Sequence, residues 1–160
     1  MSFDKFDKKI KEAAENHIEI QLNNAFSKYD YEKAKLWYRR KDKRFDLYFY
    51  LPPASELMRI NSLWLCFEIR NKTNKDNIAK DFLKHFQNEF QSLPNFKQNE
   101  LASKSQHTHA FIYQQHHFFE KGKPFSAKVE EVLDYLIDSE NSPVKKVEAY
   151  LEERKCFFTG

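Results

Sequence analysis

The chain has 160 residues, a formal net charge of +3 and a hydrophobic fraction of 41%, which suits one domain with one core. Its 2 glycines exclude a Gly-rich phosphate loop and a long flexible linker, and its 2 cysteines, Cys66 and Cys156, provide neither a disulfide framework nor a CxxC metal pair. No run approaches the ~18 apolar residues of a membrane span, and Met1-Ser2-Phe3-Asp4-Lys5 lacks a signal-peptide hydrophobic region, so the expectation is a cytoplasmic protein with no membrane partner.

Residues 4–27 carry Phe6, Ile10, Ala13, Ala14, Ile18, Leu22, Ala25 and Phe26 at three- and four-residue spacing, the pattern of an amphipathic helix. Residues 33–40 read as a first strand, followed by the charged connection Arg39 to Arg44. Residues 45–51 alternate clearly: Phe45, Leu47, Phe49 and Leu51 fall on one face, and Asp46, Tyr48 and Tyr50 on the other. Pro52-Pro53 ends that strand, and 52–61 reads as a connection. In 62–70, Leu63, Leu65, Phe67 and Ile69 share one face, and Trp64, Cys66, Glu68 and Arg70 the other.

Helical spacing returns in 76–93 with Ile78, Phe82, Phe86, Phe90 and Leu93, a stripe read as core, and Pro94 stops it. The polar stretch 95–106 reads as loop, and 107–119 as a fourth strand. Lys121-Gly122-Lys123-Pro124 is a turn. A helix follows from Ser126, and Ser142 with Pro143 caps a final helix to about Lys155. The order is αβββαβα in a single domain 1–160, with a core over 4–119 and a C-terminal helical extension over 125–156. The expected class is α/β of the α+β kind, a small mixed sheet with an antiparallel meander flanked by helices. With 16 phenylalanines, Phe packing should dominate the interior.

The chemistry-bearing feature is Asp46 on one strand and Glu68-Ile69-Arg70 on the next. Glu68 and Arg70 are two apart and share a face. If the strands pair antiparallel, the two carboxylates lie close together. Adjacent carboxylates repel, and a hard cation such as Mg²⁺ offsets that charge. Such a cation lowers the pKa of a bound water and stabilises a phosphoryl transition state, while a neighbouring base offsets developing charge. The bland reading is a cross-strand ion pair on a solvated face, worth at most about 1 kcal/mol.

This element order, with Phe45-Asp46 and Glu68-Ile69-Arg70 on successive strands, resembles the PD-(D/E)XK nuclease superfamily, whose fold is the restriction-endonuclease-like core. The resemblance covers roughly residues 4–119. It implies Mg²⁺ held by Asp46 and Glu68, assistance from an acid of the first helix (Glu15 or Glu19), and hydrolysis of phosphodiester bonds in DNA or RNA. Phe45 stands in place of the motif proline. Arg70 stands in place of the lysine, and an arginine cannot be deprotonated to act as a base; Lys72 is the candidate substitute. Two alternatives therefore accompany the nuclease reading: an inactive nuclease-fold module binding nucleic acid or a protein, and a regulatory or structural interaction protein with a surface Asp-Glu-Arg cluster.

Arg39, Arg40, Lys41, Lys43 and Arg44 are candidate phosphate contacts, or else a solvated hairpin turn. Trp37, Tyr38, Tyr48 and Tyr50 are candidate base-stacking residues, although sheet packing is the commoner role. His107, His109 and His117 share strand parity, but 109 and 117 would stand about 27 Å apart on an extended strand, too far for one metal. The C-terminal helices offer a protein or homodimer contact. Cys156-Phe157-Phe158 is an apolar segment expected to dock back or to be covered by a partner.

Overall fold

The computed structural model of the chain describes residues 3–35, 37–45, 47–70, 78–98, 107–120, 122–155 and 157. A long helix, α1 (Phe3–Lys28), comes first. It buries Ile18, Leu22, Ala25 and Phe26, whereas Ile10 is 55% exposed, so the buried stripe belongs to its second half rather than to the whole helix. Asp30 takes φ 63° and turns the chain into the sheet.

Two short strands, β1 (Tyr31–Ala34) and β2 (Trp37–Arg40), stand where the sequence predicts one. Lys35 at φ 60° reverses the chain between them, and Ala34 registers against Trp37. β3 (Leu47–Tyr50) follows. The expected plain connection after it contains a short helix, α2 (Ala54–Ile60), in which Leu57 is buried. Asn61 ends that helix in the left-handed region at φ 49°, its N–H donating to the carbonyls of Leu57 and Met58. β4 (Ser62–Arg70) and α3 (Ile78–Gln91) fall where their periodicities place them. The stretch expected to be loop includes a three-residue strand, β5 (Phe96–Gln98), before β6 (His107–His116).

α4 (Phe125–Leu133) runs directly into a π-helical turn (Asp134–Asp138). α5 (Pro143–Glu153) begins as its sequence predicts, with Pro143 in the first turn and the Ser142 hydroxyl accepting from the N–H of Lys145 at 3.2 Å.

The six strands form one sheet in the order β1-β2-β3-β4-β6-β5. All the described pairings are antiparallel. The fold class is mixed α and β, but the expected mixed sheet is not what these pairings form. After α3 the chain lays down β5 at the sheet's edge and returns through β6, which slots between β5 and β4 and runs against β4.

All five helices contribute to one apolar cluster on a single face of the sheet. Ile18, Leu57, Phe86, Val129 and Val147, one from each helix, join Phe49, Leu65, Phe67, Phe111 and Tyr113. Aromatic packing dominates this inner face, as the composition predicts. Phe26 stacks on Tyr38 with ring centroids 3.9 Å apart, Phe49 meets Phe67 edge-on at 4.9 Å, and Phe90 meets Phe111 edge-on at 4.8 Å. Near the C-terminus, Phe157 forms an antiparallel bridge with Phe45, their rings 6.0 Å apart, so this point of the chain docks back.

Two outcomes follow for stability. Phe26→Ala, at a fully buried and stacked position, should lower the unfolding free energy by about 3–5 kcal/mol, read from urea or guanidinium midpoints. Burial raises the Tyr31 and Tyr38 phenols above the ordinary tyrosine range, with smaller contributions from Glu148 and Glu19 respectively. Unfolded tyrosines ionise near pH ~10 while these folded ones keep their protons, so this contribution is intact below that pH and is lost as pH rises above it. The Tyr31 hydroxyl has no hydrogen-bond partner among the described residues. Tyr31→Phe should therefore leave neutral-pH stability equal or higher and lessen the alkaline loss, measured as Tm against pH.

Candidate functional site

Alternation along β4 gives the sheet a second, outer face. Leu63, Leu65, Phe67 and Ile69 enter the helix-covered core, so Trp64, Cys66 and Glu68 point the other way. The outer face is not simply solvated. Cys66 is fully buried, Glu68 is 2% exposed and Tyr48 8%, and Trp37, Tyr50 and Trp64 are half-buried beside them. Tyr48, Cys66 and Ile112 are buried yet stand outside the main core cluster, which makes them a second apolar layer.

Among the described residues, Glu68 is the buried charged side chain of that layer. Trp37 Nε1 donates to Glu68 Oε2 at 2.7 Å. Trp37 registers with Tyr50, and Glu68 with Tyr48. The indole thus reaches diagonally over β3 to a carboxylate two strands away. A hydrogen bond to a buried charge is stronger than a neutral one, and it is one of the contacts that offset the cost of burying this carboxylate. Next to it, burial and then the charge of Glu68 push the Cys66 thiol up to about 12, so Cys66 stays protonated and unreactive near neutral pH.

A β-bulge lies at the same point. Phe67 registers with Phe111, but Glu68 registers with His109, so Ala110 is an extra residue on β6. The bulge resets β6's alternation, placing 109 and 107 opposite Glu68 and Arg70. The shared parity expected of His107, His109 and His117 therefore fails. His117 has left the strand with φ 56° and pairs with Glu120 at 3.0 Å, while His116 Nδ1 lies 3.0 Å from the Ser62 hydroxyl.

The predicted site residues separate accordingly. Asp46 and Lys72 lie outside the described residues, as do the side chains of Arg70, His107 and His109. β3 and β4 do pair antiparallel as expected, and the residue opposite Glu68 is Tyr48. Glu19 of α1 is not near Glu68. It is ion-paired with Lys33, which registers with the core residue Tyr38, so it belongs to the inner-face side. Glu15 lies one turn earlier on the same helix. Among the described residues no group of three His, Cys, Asp or Glu side chains is placed to hold a metal ion. Glu68 is thus the one proposed cation ligand that the described geometry places.

The basic run behaves differently from a free phosphate-binding patch. Arg40 Nη1 reaches both carboxylate oxygens of Glu148 on α5, at 2.9 and 2.8 Å, and Nη2 lies 3.4 Å from Asp42. Arg39 Nε donates to Glu32 at 3.3 Å. Arg44 pairs with Glu152 of α5 and lies 5.0 Å from the Phe45 ring centroid. Lys41 donates to the Ser27 hydroxyl at 3.1 Å, and Lys43 occupies the turn at φ 54°. Much of the run clamps α5 and the neighbouring strand, a role set by residues more than a hundred positions away.

No family model, curated protein or solved structure compared with the chain matches it.

The Trp37–Glu68 contact has a direct consequence. Trp37→Phe keeps the ring's bulk and removes the N–H, so it should cost about 1.5–3 kcal/mol in unfolding free energy. Denaturant titration of the variant beside the parent chain checks this; an unchanged midpoint would show that the indole N–H contributes little.

Proposed function

We propose that the outer face of β4 carries a Mg²⁺-dependent, nuclease-like site that hydrolyses phosphodiester bonds in DNA or RNA in the cytoplasm, on a sheet related to the restriction-endonuclease-like core. The supporting observation is Glu68 itself. It is a carboxylate 2% exposed on the sheet face turned away from the helices, oriented by the Trp37 indole and set opposite a β-bulge. β-Bulges recur beside active sites, where they re-aim side chains. A carboxylate that accepts a hydrogen bond through one oxygen is also the usual state of a metal ligand, whose orientation depends on such outer contacts.

In this reading Asp46 and Glu68 hold the cation, which supplies an activated water and charge stabilisation when bound. Trp37 positions Glu68. Arg70 offsets charge on the scissile phosphate, and Lys72 is the candidate in place of the absent motif lysine. Glu19 has no part in it, since it pairs with Lys33 on the other side of the sheet.

A second reading, a non-catalytic module on the same scaffold, is favoured by Arg70, which stands where the motif has its lysine and cannot serve as a base. In that case the face binds a nucleic acid or a protein without turnover.

Incubation with single- and double-stranded DNA and RNA separates the two. The nuclease reading expects cleavage that requires Mg²⁺, stops with chelator, and falls about 10²–10³-fold in Glu68→Gln, a substitution that keeps an oxygen for the Trp37 N–H; Asp46→Ala should do the same. Cleavage that persists through chelation and both substitutions contradicts it. Binding without cleavage supports the second reading.

A further inference from the structure

Away from Glu68, a cavity of about 590 Å³ opens between α4, the π-helical turn and the end of β6, a size typical of small-molecule sites. It lies on the helix side of the sheet, because Tyr113, one of its walls, registers with the core residue Leu65. Two unusual backbone features border it. The N–H of Ser139 donates to the carbonyl of Asp134, five residues back, at 2.8 Å. This π turn sets Tyr135, 36% exposed, on the cavity wall. Asn95, also lining the cavity, takes φ 66°. Helical insertions of this kind interrupt regular hydrogen bonding and recur at functional sites, and non-glycine residues at positive φ recur there too.

The lining chemistry defines a ligand. Phe118, Tyr113 and Tyr135 provide aromatic surface, with the two tyrosine rings 6.5 Å apart. Lys123 and Lys128 line the same space against one carboxylate, Glu131, which Lys123 already pairs. Lys128 donates to the carbonyls of Phe118 and Glu120 at 2.8 and 2.9 Å. An ammonium has three donors, and among the described residues two of them are taken, which leaves one for a ligand. The excess of one cation over an aromatic wall matches a flat ring system carrying a single anionic head. We propose that this cavity is a binding site for small aromatic monoanions, separate from the Glu68 face.

Calorimetric titration of the full chain with 2-naphthoate, and with its neutral analogue 2-naphthamide, tests this. The expected result is saturable one-site binding of naphthoate, about tenfold tighter than the amide. Tyr135→Ala should weaken both ligands by about three- to tenfold. Lys123→Met leaves Glu131 without its cation and should weaken naphthoate several-fold while sparing the amide. Lys123 is exposed, so that variant remains informative if Tyr135→Ala fails to fold. Absence of saturable naphthoate binding, equal affinity for the two ligands, or a Lys123→Met variant that binds naphthoate as tightly as the parent chain would overturn the proposal.

Discussion

The central strand β4 faces two environments at once, and the rest of the molecule is arranged around that. Its inner residues, Leu63, Leu65, Phe67 and Ile69, are buried under the helices, while the opposite alternation commits Cys66 and Glu68 to an outer layer that is also closed to solvent. A carboxylate in that layer requires donors. The indole of Trp37 supplies one from two strands away, so the twist and register of β2, β3 and β4 are coupled to the satisfaction of one charge. The same contact that stabilises the sheet therefore fixes the orientation of the residue on which the proposed chemistry rests.

The basic connection between β2 and β3 shows how tertiary structure reassigns a local signal. In sequence Arg39 to Arg44 is a dense positive run. In the fold, α5 brings Glu148 and Glu152 against it, so Arg40 and Arg44 anchor the C-terminal helix to the hairpin. Of these, the Arg40 contact engages two oxygens of a glutamate whose side chain is only 13% exposed, whereas the Arg44 pair is exposed on both sides and contributes little. The C-terminal helices are thereby part of the same folded unit, and their apolar residues enter the common core.

How much of this is legible in the sequence depends on the range of the interaction that decides each feature. β4 and α5 are readable because period-two alternation and a Ser-Pro cap are local. The β1–β2 split is not, because Lys35 adopts φ 60° without a glycine or asparagine to mark it. α2 hides in a segment of seven residues behind Pro52-Pro53, too short for a periodic signal. The direction of β6 is likewise nonlocal, since the three residues of β5 intervene between α3 and β6 and occupy the sheet's edge. At the site, parity separates Glu68 from the core face, but only the folded register shows Trp37 beside it, Glu19 on the other side, and a bulge that ends the shared parity of the histidines.

Whether Glu68 is a cation ligand is tested most directly by a crystal of the chain soaked in Mn²⁺, with the ion located by anomalous scattering. A Glu68-centred cation site requires a peak within ~2.0–2.6 Å of a Glu68 carboxylate oxygen, absent in Glu68→Gln, with Trp37 still donating to the side chain. A saturated crystal with no ion at Glu68, or the same peak retained in Glu68→Gln, would contradict it.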